Sequence, residues 1–169
     1  YKRQFVQRVN GSIRKSSERL GADIVVVPDN ARGEAEEVLL ENRIRSFYMD
    51  RSLLDRIRAV KGVDKVTEQI YLVTMSTLCC SVPEALVVAF NQDTDFIIKP
   101  WLKQKLSRPL AKGEAVAGDE SAFNIRLGLV EVDSMLFGSV FRIVGTMDKT
   151  GTGLDNAVFM GMENMEGIY

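Results

Sequence analysis

The chain contains no histidine. That removes the commonest general base near neutral pH and the commonest metal ligand. A serine nucleophile would lack the imidazole of the usual triad, which leaves only rarer Ser-Lys arrangements. The two cysteines, Cys79 and Cys80, are adjacent. They form neither the spaced pairs of a zinc site nor a long-range disulfide framework. Two readings remain for them, a strained vicinal disulfide in an oxidising compartment or two small buried thiols at a strand end. Long apolar runs are missing too. The longest, Ala85–Phe90, falls far short of the ~20 residues that span a bilayer. No signal peptide is visible, and Tyr1 is not a native start, so an excised soluble piece is expected.

What is present is an ordinary globular composition, 46% hydrophobic and 27% charged over 169 residues. A chain of that length buries roughly 70% of its unfolded surface, enough for one domain or two small subdomains. Net charge is -1, which gives the whole chain no built-in affinity for nucleic acid. The charge is unevenly spread. Residues 1–21 carry six basic side chains against Glu18 alone, as expected for a segment that faces an anionic surface.

Residues 2–20 read as one helix with an apolar seam through Val6, Val9, Ile13 and Leu20. Asn10-Gly11-Ser12 interrupts it at a cost of ~1 kcal/mol for the glycine; its match to a glycosylation sequon reads as chance. Gly21 stops the helix. Ile24–Val27 follow as an unbroken β-branched run, the pattern of a central strand buried on both faces, and Pro28 ends it. Glu34–Asn42 is ambiguous between helix and strand. Leu53, Leu54, Ile57 and Val60 share one helical face, with Asp50 or Ser52 as cap and Lys61-Gly62 as stop. Val63–Leu78 alternates as a long strand, and Leu86–Phe90 forms another. Ile24–Val27, Val63–Leu78 and Leu86–Phe90 are expected to share a sheet under the Leu53–Val60 helix.

The second half is β-rich. Trp101–Leu106 is a short amphipathic piece, Ser121–Leu127 a helical turn, and strands are expected at Glu114–Ala117, Val132–Phe137, Phe141–Met147 and Ala157–Met160. Glu163 opens a helix. Thr150-Gly151-Thr152-Gly153-Leu154-Asp155 lacks the spacing and lysine of a phosphate loop and reads as a mobile loop. Asp93/Asp95 and Glu131/Asp133 are acidic pairs without the further ligands of a calcium loop, and read as solvated turn carboxylates. Neither a catalytic, a cofactor-binding nor a metal-binding set emerges.

Several segments taken in order resemble one family. They are Ser17–Pro28, Asp93-Thr94-Asp95-Phe96 with Pro100-Trp101, Gly113–Gly118, Phe141-Arg142-Ile143-Val144-Gly145 and Thr150–Asp155. Together they look like the extracytoplasmic domain of MacB/FtsX-type ABC transporter permeases, and the match spans nearly the whole chain. The resemblance implies an α+β fold. Residues 1–20 would be a membrane-proximal stalk helix, and 21–90 with 156–169 a porter-like α/β subdomain, C-terminally incomplete. Residues 91–155 would be an inserted β-rich, Sabre-like subdomain. It further implies a non-catalytic, cofactor-free module on the periplasmic or extracellular side of the cell membrane, coupling ATP-driven motion to substrate or partner handling. Its partners would be a cognate ABC ATPase reached through the transmembrane part, a second permease subunit, the membrane, and a periplasmic adaptor or exported substrate; nucleic acid is not among them. Lys2, Arg3 and Arg8 would then meet lipid phosphates, and the Val6–Leu20 seam would carry motion into the domain. The alternative is a freestanding soluble ligand-binding domain or enzyme.

Overall fold

A computed structural model describes residues 21–31, 48–73, 86–103, 105–124, 132–136, 139–151 and 153–166. Among the described residues the protein is a mixed α/β structure built on one six-stranded sheet, with short helices beside it. The strands are β1 (Gln69–Val73), β2 (Leu86–Phe90), β3 (Glu114–Ala117), β4 (Val132–Leu136), β5 (Ser139–Thr146) and β6 (Ala157–Gly161). The described α-helices are α1 (Leu53–Arg58), α2 (Lys99–Leu102) and α3 (Asp119–Asn124). Spatial order is β1-β2-β6-β3-β5-β4. Pairings β2–β6 and β3–β5 are parallel; the other three are antiparallel.

Every residue of β2 and β6 is buried, which is why both read as near-continuous apolar runs. Alternation sends their side chains to opposite faces. Val87, Ala89, Val158 and Met160 join Ala115, Ala117, Leu136, Phe141 and Ile143 in one core layer. Leu86, Val88, Phe90 and Phe159 join Ile98, Leu102, Leu110, Val116 and Val144 in the other. Burying side chains of this size contributes ~1.5–3 kcal/mol each, so the two central strands carry much of the stability. In β1 the same alternation puts Ile70 and Leu72 on the first layer and Tyr71 on the second. Between β3 and β5 the register slips after Ala115, one extra residue of β5 being inserted near Gly145; such a bulge bends the strand.

The expected strand at Ile24–Val27 does not form. The segment has no ladder partner among the described residues, and Ile24, Val25 and Val26 are 76%, 56% and 47% exposed. β-Branched residues favour a pleated surface only where neighbours complete it. The sheet is therefore not organised around this run, whose centre is β6. Val63–Leu78 is narrower than expected: 63–68 have no regular structure and β1 begins at Gln69. Its last residues, 74–78, lie outside the described residues, as do Glu34–Asn42. Helix α1 forms within the expected span but ends at Arg58 with Ala59 as its C-cap, so Val60 falls outside it and Gly62, at φ +95°, turns the chain only beyond that end. However, none of its residues is buried, and it belongs to neither core layer. Ser52 does not cap it through its side chain; instead the Ser52 backbone N–H donates to Asp50 Oδ1 at 2.8 Å.

In the second half, β3, β4, β5 and β6 fall within a residue or two of the expected spans. Helix α2 is displaced toward Lys99, α3 starts at Asp119, and the expected helix at Glu163 is a 3-10 turn, Met162–Met165. The strands on either side of the expected subdomain limits at 90/91 and 155/156 are hydrogen-bonded in one sheet.

Candidate functional site: polar clasps at the two ends of the sheet

Lys2, Arg3, Arg8, Val6, Val9, Ile13, Leu20, Cys79 and Cys80 lie outside the described residues, as does Glu131. The chemistry that can be followed is at the two ends of the sheet, where the buried polar side chains sit. Among the described residues four polar side chains are buried, Asp95, Ser121, Asp155 and Asn164. All four are hydrogen-bonded, as burial requires.

At the end where β2 and β6 finish, the chain leaves β2 through Asn91, whose Oδ1 accepts from Asp93 N at 3.0 Å. This turn lowers Asp95 into the interior, 4% exposed. Its Oδ1 accepts from the backbone N–H groups of Ile97, Ile98 and Lys99 at 3.0, 2.6 and 2.9 Å. Its Oδ2 accepts from Gln69 Nε2 at 2.9 Å, and Tyr71 Oη donates to Gln69 Oε1 at 2.7 Å. Asp95 is therefore neither a solvated carboxylate nor a calcium ligand; it fastens the approach to α2 onto β1. Asp93 alone of the pair is exposed. Burial, with the Asp95 charge adding to it, pushes the Tyr71 phenol up to about 12.

Beside this clasp lies a second. Gln92 forms a reciprocal pair with Leu110, its Nε2 donating to the carbonyl at 2.9 Å and its Oε1 accepting from the amide at 2.8 Å. Gln92 Nε2 also donates to Glu163 Oε1 at 2.6 Å. Asn164 accepts from Gly113 N at 2.7 Å and donates to Gly161 O at 3.1 Å. Arg108 forks onto Glu114 with contacts of 2.6 and 2.8 Å, and Ala111 N donates to the same carboxylate at 2.8 Å. Hydrogen bonding to Arg108 is the largest cause that holds the Glu114 carboxyl down at about 2.

The opposite end is closed by Asp155, 3% exposed. Its Oδ1 accepts from the Thr150 amide and hydroxyl at 2.6 and 2.7 Å, and its Oδ2 from Gly151 N at 2.8 Å. Gly151 takes φ +74° to close this ring, a conformation glycine reaches without a Cβ penalty. The loop expected to be mobile is thus pinned by its own carboxylate. Gly118 lies against it, and a Cβ there would collide with the Leu154 and Asp155 carbonyl oxygens. Ser121 Oγ lies 3.1 and 2.9 Å from the carbonyls of Gly118 and Ala157. Its single hydroxyl proton serves one of them at a time.

These side chains do structural chemistry. Asp95 and Asp155 each have both oxygens occupied by donors fixed in the fold, which leaves them poorly placed to take a proton from a bound molecule. Among the described residues no group of three or more His, Cys, Asp or Glu is disposed to hold a metal ion. Nor, among those residues, is any helix long and apolar enough to cross a membrane. Sequence reasoning missed the roles of Asp95 and Asp155. For Asp95 a signal existed, since an Asp two to four residues ahead of a helical segment favours Asx-type capping; Asp155 instead reaches back to Thr150 and Gly151.

Two features mark the surface. Among the described residues the exposed large hydrophobics are Ile24, Val25, Val26, Tyr48, Met49, Val60 and Val140. The second feature is a run of positive charge from Lys99 to Lys112, five basic residues without an acidic one. Comparison with protein-family models, with curated proteins and with solved structures returns no match.

Proposed function

We propose that this chain is the extracytoplasmic domain of an ABC transporter permease of the MacB/FtsX type. It is a non-catalytic module that couples ATP-driven transmembrane motion to the handling of a substrate or partner outside the membrane. The observation that carries this reading is the role of the motif residues. Asp95, Gly118, Gly151 and Asp155 all belong to the ordered segments that resemble the family, and each closes a turn or a close approach at one end of the sheet. A resemblance carried by residues that shape the backbone bears on fold and role in a way that a resemblance in core hydrophobics does not.

The finer architecture belongs to the same proposal. In it residues 21–90 and 156–169 make a porter-like part, 91–155 a Sabre-like insertion, and 1–20 the stalk that joins them to the first transmembrane segment. Lys2, Arg3 and Arg8 face lipid phosphates, and Val6, Val9, Ile13 and Leu20 set the stalk against its neighbour. The cognate ATPase and a second permease subunit are the expected partners, on an inner membrane whose outer side this domain occupies.

Protease accessibility of the full-length protein tests the reading. In spheroplasts the region 21–166 should be cleaved by an added protease while the cytoplasmic membrane stays intact, and the protein should co-purify in detergent with an ABC ATPase. Full protection in spheroplasts, or recovery in the soluble fraction, would refute it. That outcome would leave the freestanding binding domain or enzyme in its place.

A further inference from the structure

Of the 22 basic side chains six lie in 1–21 and five in 96–113, whereas of the 23 acidic ones a single residue lies in the first stretch and none in the second. Elsewhere the chain is twice as acidic as basic. The second stretch is described in full apart from Gln104. Its apolar side chains face inward: Ile98, Leu102 and Leu110 are buried in one core layer, and Ile97, Trp101 and Leu106 pack against it. Its outer side is left to Lys103, Lys105, Arg108 and Lys112, all exposed, with Lys99 half-buried. The Gln92–Leu110 pair and the Asp95 turn fasten the two ends of the segment to the sheet.

Two of these charges are engaged by acids from elsewhere, Lys105 with Asp148 at 2.8 Å and Arg108 with Glu114 at 2.6 Å. Lys99 Nζ donates to the Asp93 carbonyl at 3.1 Å. Lys103 and Lys112 have no ion-pair partner among the described residues.

We propose that the 99–112 segment is a second membrane-facing surface of this domain, docking on anionic phospholipid headgroups by electrostatics alone. The inference rests on the permease reading, which puts the domain beside a bilayer, and adds to it which face turns that way. Composition favours lipid over protein. Four of the five cations are lysines, which protein interfaces avoid, and the single tryptophan that would serve as an anchor packs inward. A cluster of this size with no exposed apolar anchor suits a diffuse field of phosphates. Five cations in an otherwise acidic chain are few for nucleic acid, whose binding scales with the phosphates neutralised.

The test is co-sedimentation of the chain with vesicles of phosphatidylcholine, with and without one third phosphatidylglycerol, at low and physiological salt. Binding is expected only to the anionic vesicles and should weaken with salt. With roughly fivefold in partitioning for each lysine near the surface, Lys103→Gln/Lys112→Gln should reduce binding about 30-fold. Both side chains are exposed and have no ion-pair partner among the described residues, so an unchanged melting curve should accompany the loss; Lys103→Glu/Lys112→Glu should abolish binding. Full binding by the glutamine variant would overturn the proposal. If Lys2→Glu/Arg3→Glu/Arg8→Glu removes all binding while the glutamine variant keeps it, the stalk is the lipid contact and the permease reading stands without this surface. No binding by the parent chain, or tighter salt-sensitive binding to polyglutamate or DNA than to vesicles, overturns it as well.

Discussion

Replacing Asp95 by alanine should cost this fold a large part of its stability. The carboxylate stands at the end of three backbone donors and one amide donor. Removing a side chain that caps a turn or helix start costs ~0.5–2 kcal/mol. Here the Ile98 N–H is buried as well, and a buried donor left unpaired adds ~1–3 kcal/mol. The alanine variant should therefore lose about 3 kcal/mol, a large share of the ~5–15 kcal/mol available to a domain. Asparagine separates charge from geometry. Its Oδ1 still accepts the three backbone donors, and its Nδ2 meets Gln69. That amide can flip to offer Oε1, turning Nε2 toward the Tyr71 hydroxyl, which then accepts. Asp95→Asn should retain more than half of the lost stability. It should also lower the Tyr71 pKa from about 12, because the smaller of its two causes is gone. Denaturant unfolding supplies the first comparison and titration of phenolate absorbance the second. An alanine variant within ~0.5 kcal/mol of the parent, the range of an ordinary surface change, would refute the reasoning.

Gly118→Ala should destabilise by ~1–3 kcal/mol, because the added methyl meets backbone carbonyls that cannot move aside. Gly145→Ala, with nothing within 4 Å of its added Cβ, should be nearly neutral, and equal melting temperatures for the two variants would contradict the close approach. Glu114, held down at about 2 against 4.5, stabilises the fold above its unfolded pKa and loses that contribution as pH falls through the window between those values. Glu114→Gln should flatten this part of the acid limb, as should added salt; an unchanged limb would show the Arg108 pair to contribute nothing. Ile24→Ala should change stability by less than ~0.5 kcal/mol. A loss of ~2–5 kcal/mol, as for a buried isoleucine, would restore the strand that its sequence suggests.

Strands whose sequence matches their burial were legible. Leu86–Phe90 and Ala157–Met160 are apolar throughout because both faces and both edges are occupied, and each was placed within one residue. The same rule misled at Ile24–Val26, where an equally apolar run is exposed. Periodicity reports what a segment would gain from burial, and the partner that supplies the burial is a property of the rest of the chain. Helix α1 makes the same point from another side. Its spacing predicts its existence, and nothing local foretells that its apolar face stays outside both core layers. The clasps failed for a different reason. A buried Asp95 and an exposed Asp93 differ only in which one the turn points inward, a matter settled by Asn91, Gln69 and three amides together.

The position of β6 bears on how such a chain is made. It follows every other strand in sequence yet lies in the middle of the sheet, with Val88 beside Phe159 on one side and Val116 beside it on the other. A ribosome emitting this chain delivers β1 with β2, and then β3 with β4 and β5, as two half-sheets that cannot yet meet. Until β6 arrives, each half presents an open, strongly apolar edge at β2 and at β3, the kind of surface on which nascent chains pair with the wrong neighbour. Closure then joins residues far apart in sequence, which makes it slow. Truncation or stalling ahead of Ala157 should therefore yield two sticky fragments rather than a smaller soluble fold, and mutations that weaken β6 should show first as lost yield during synthesis.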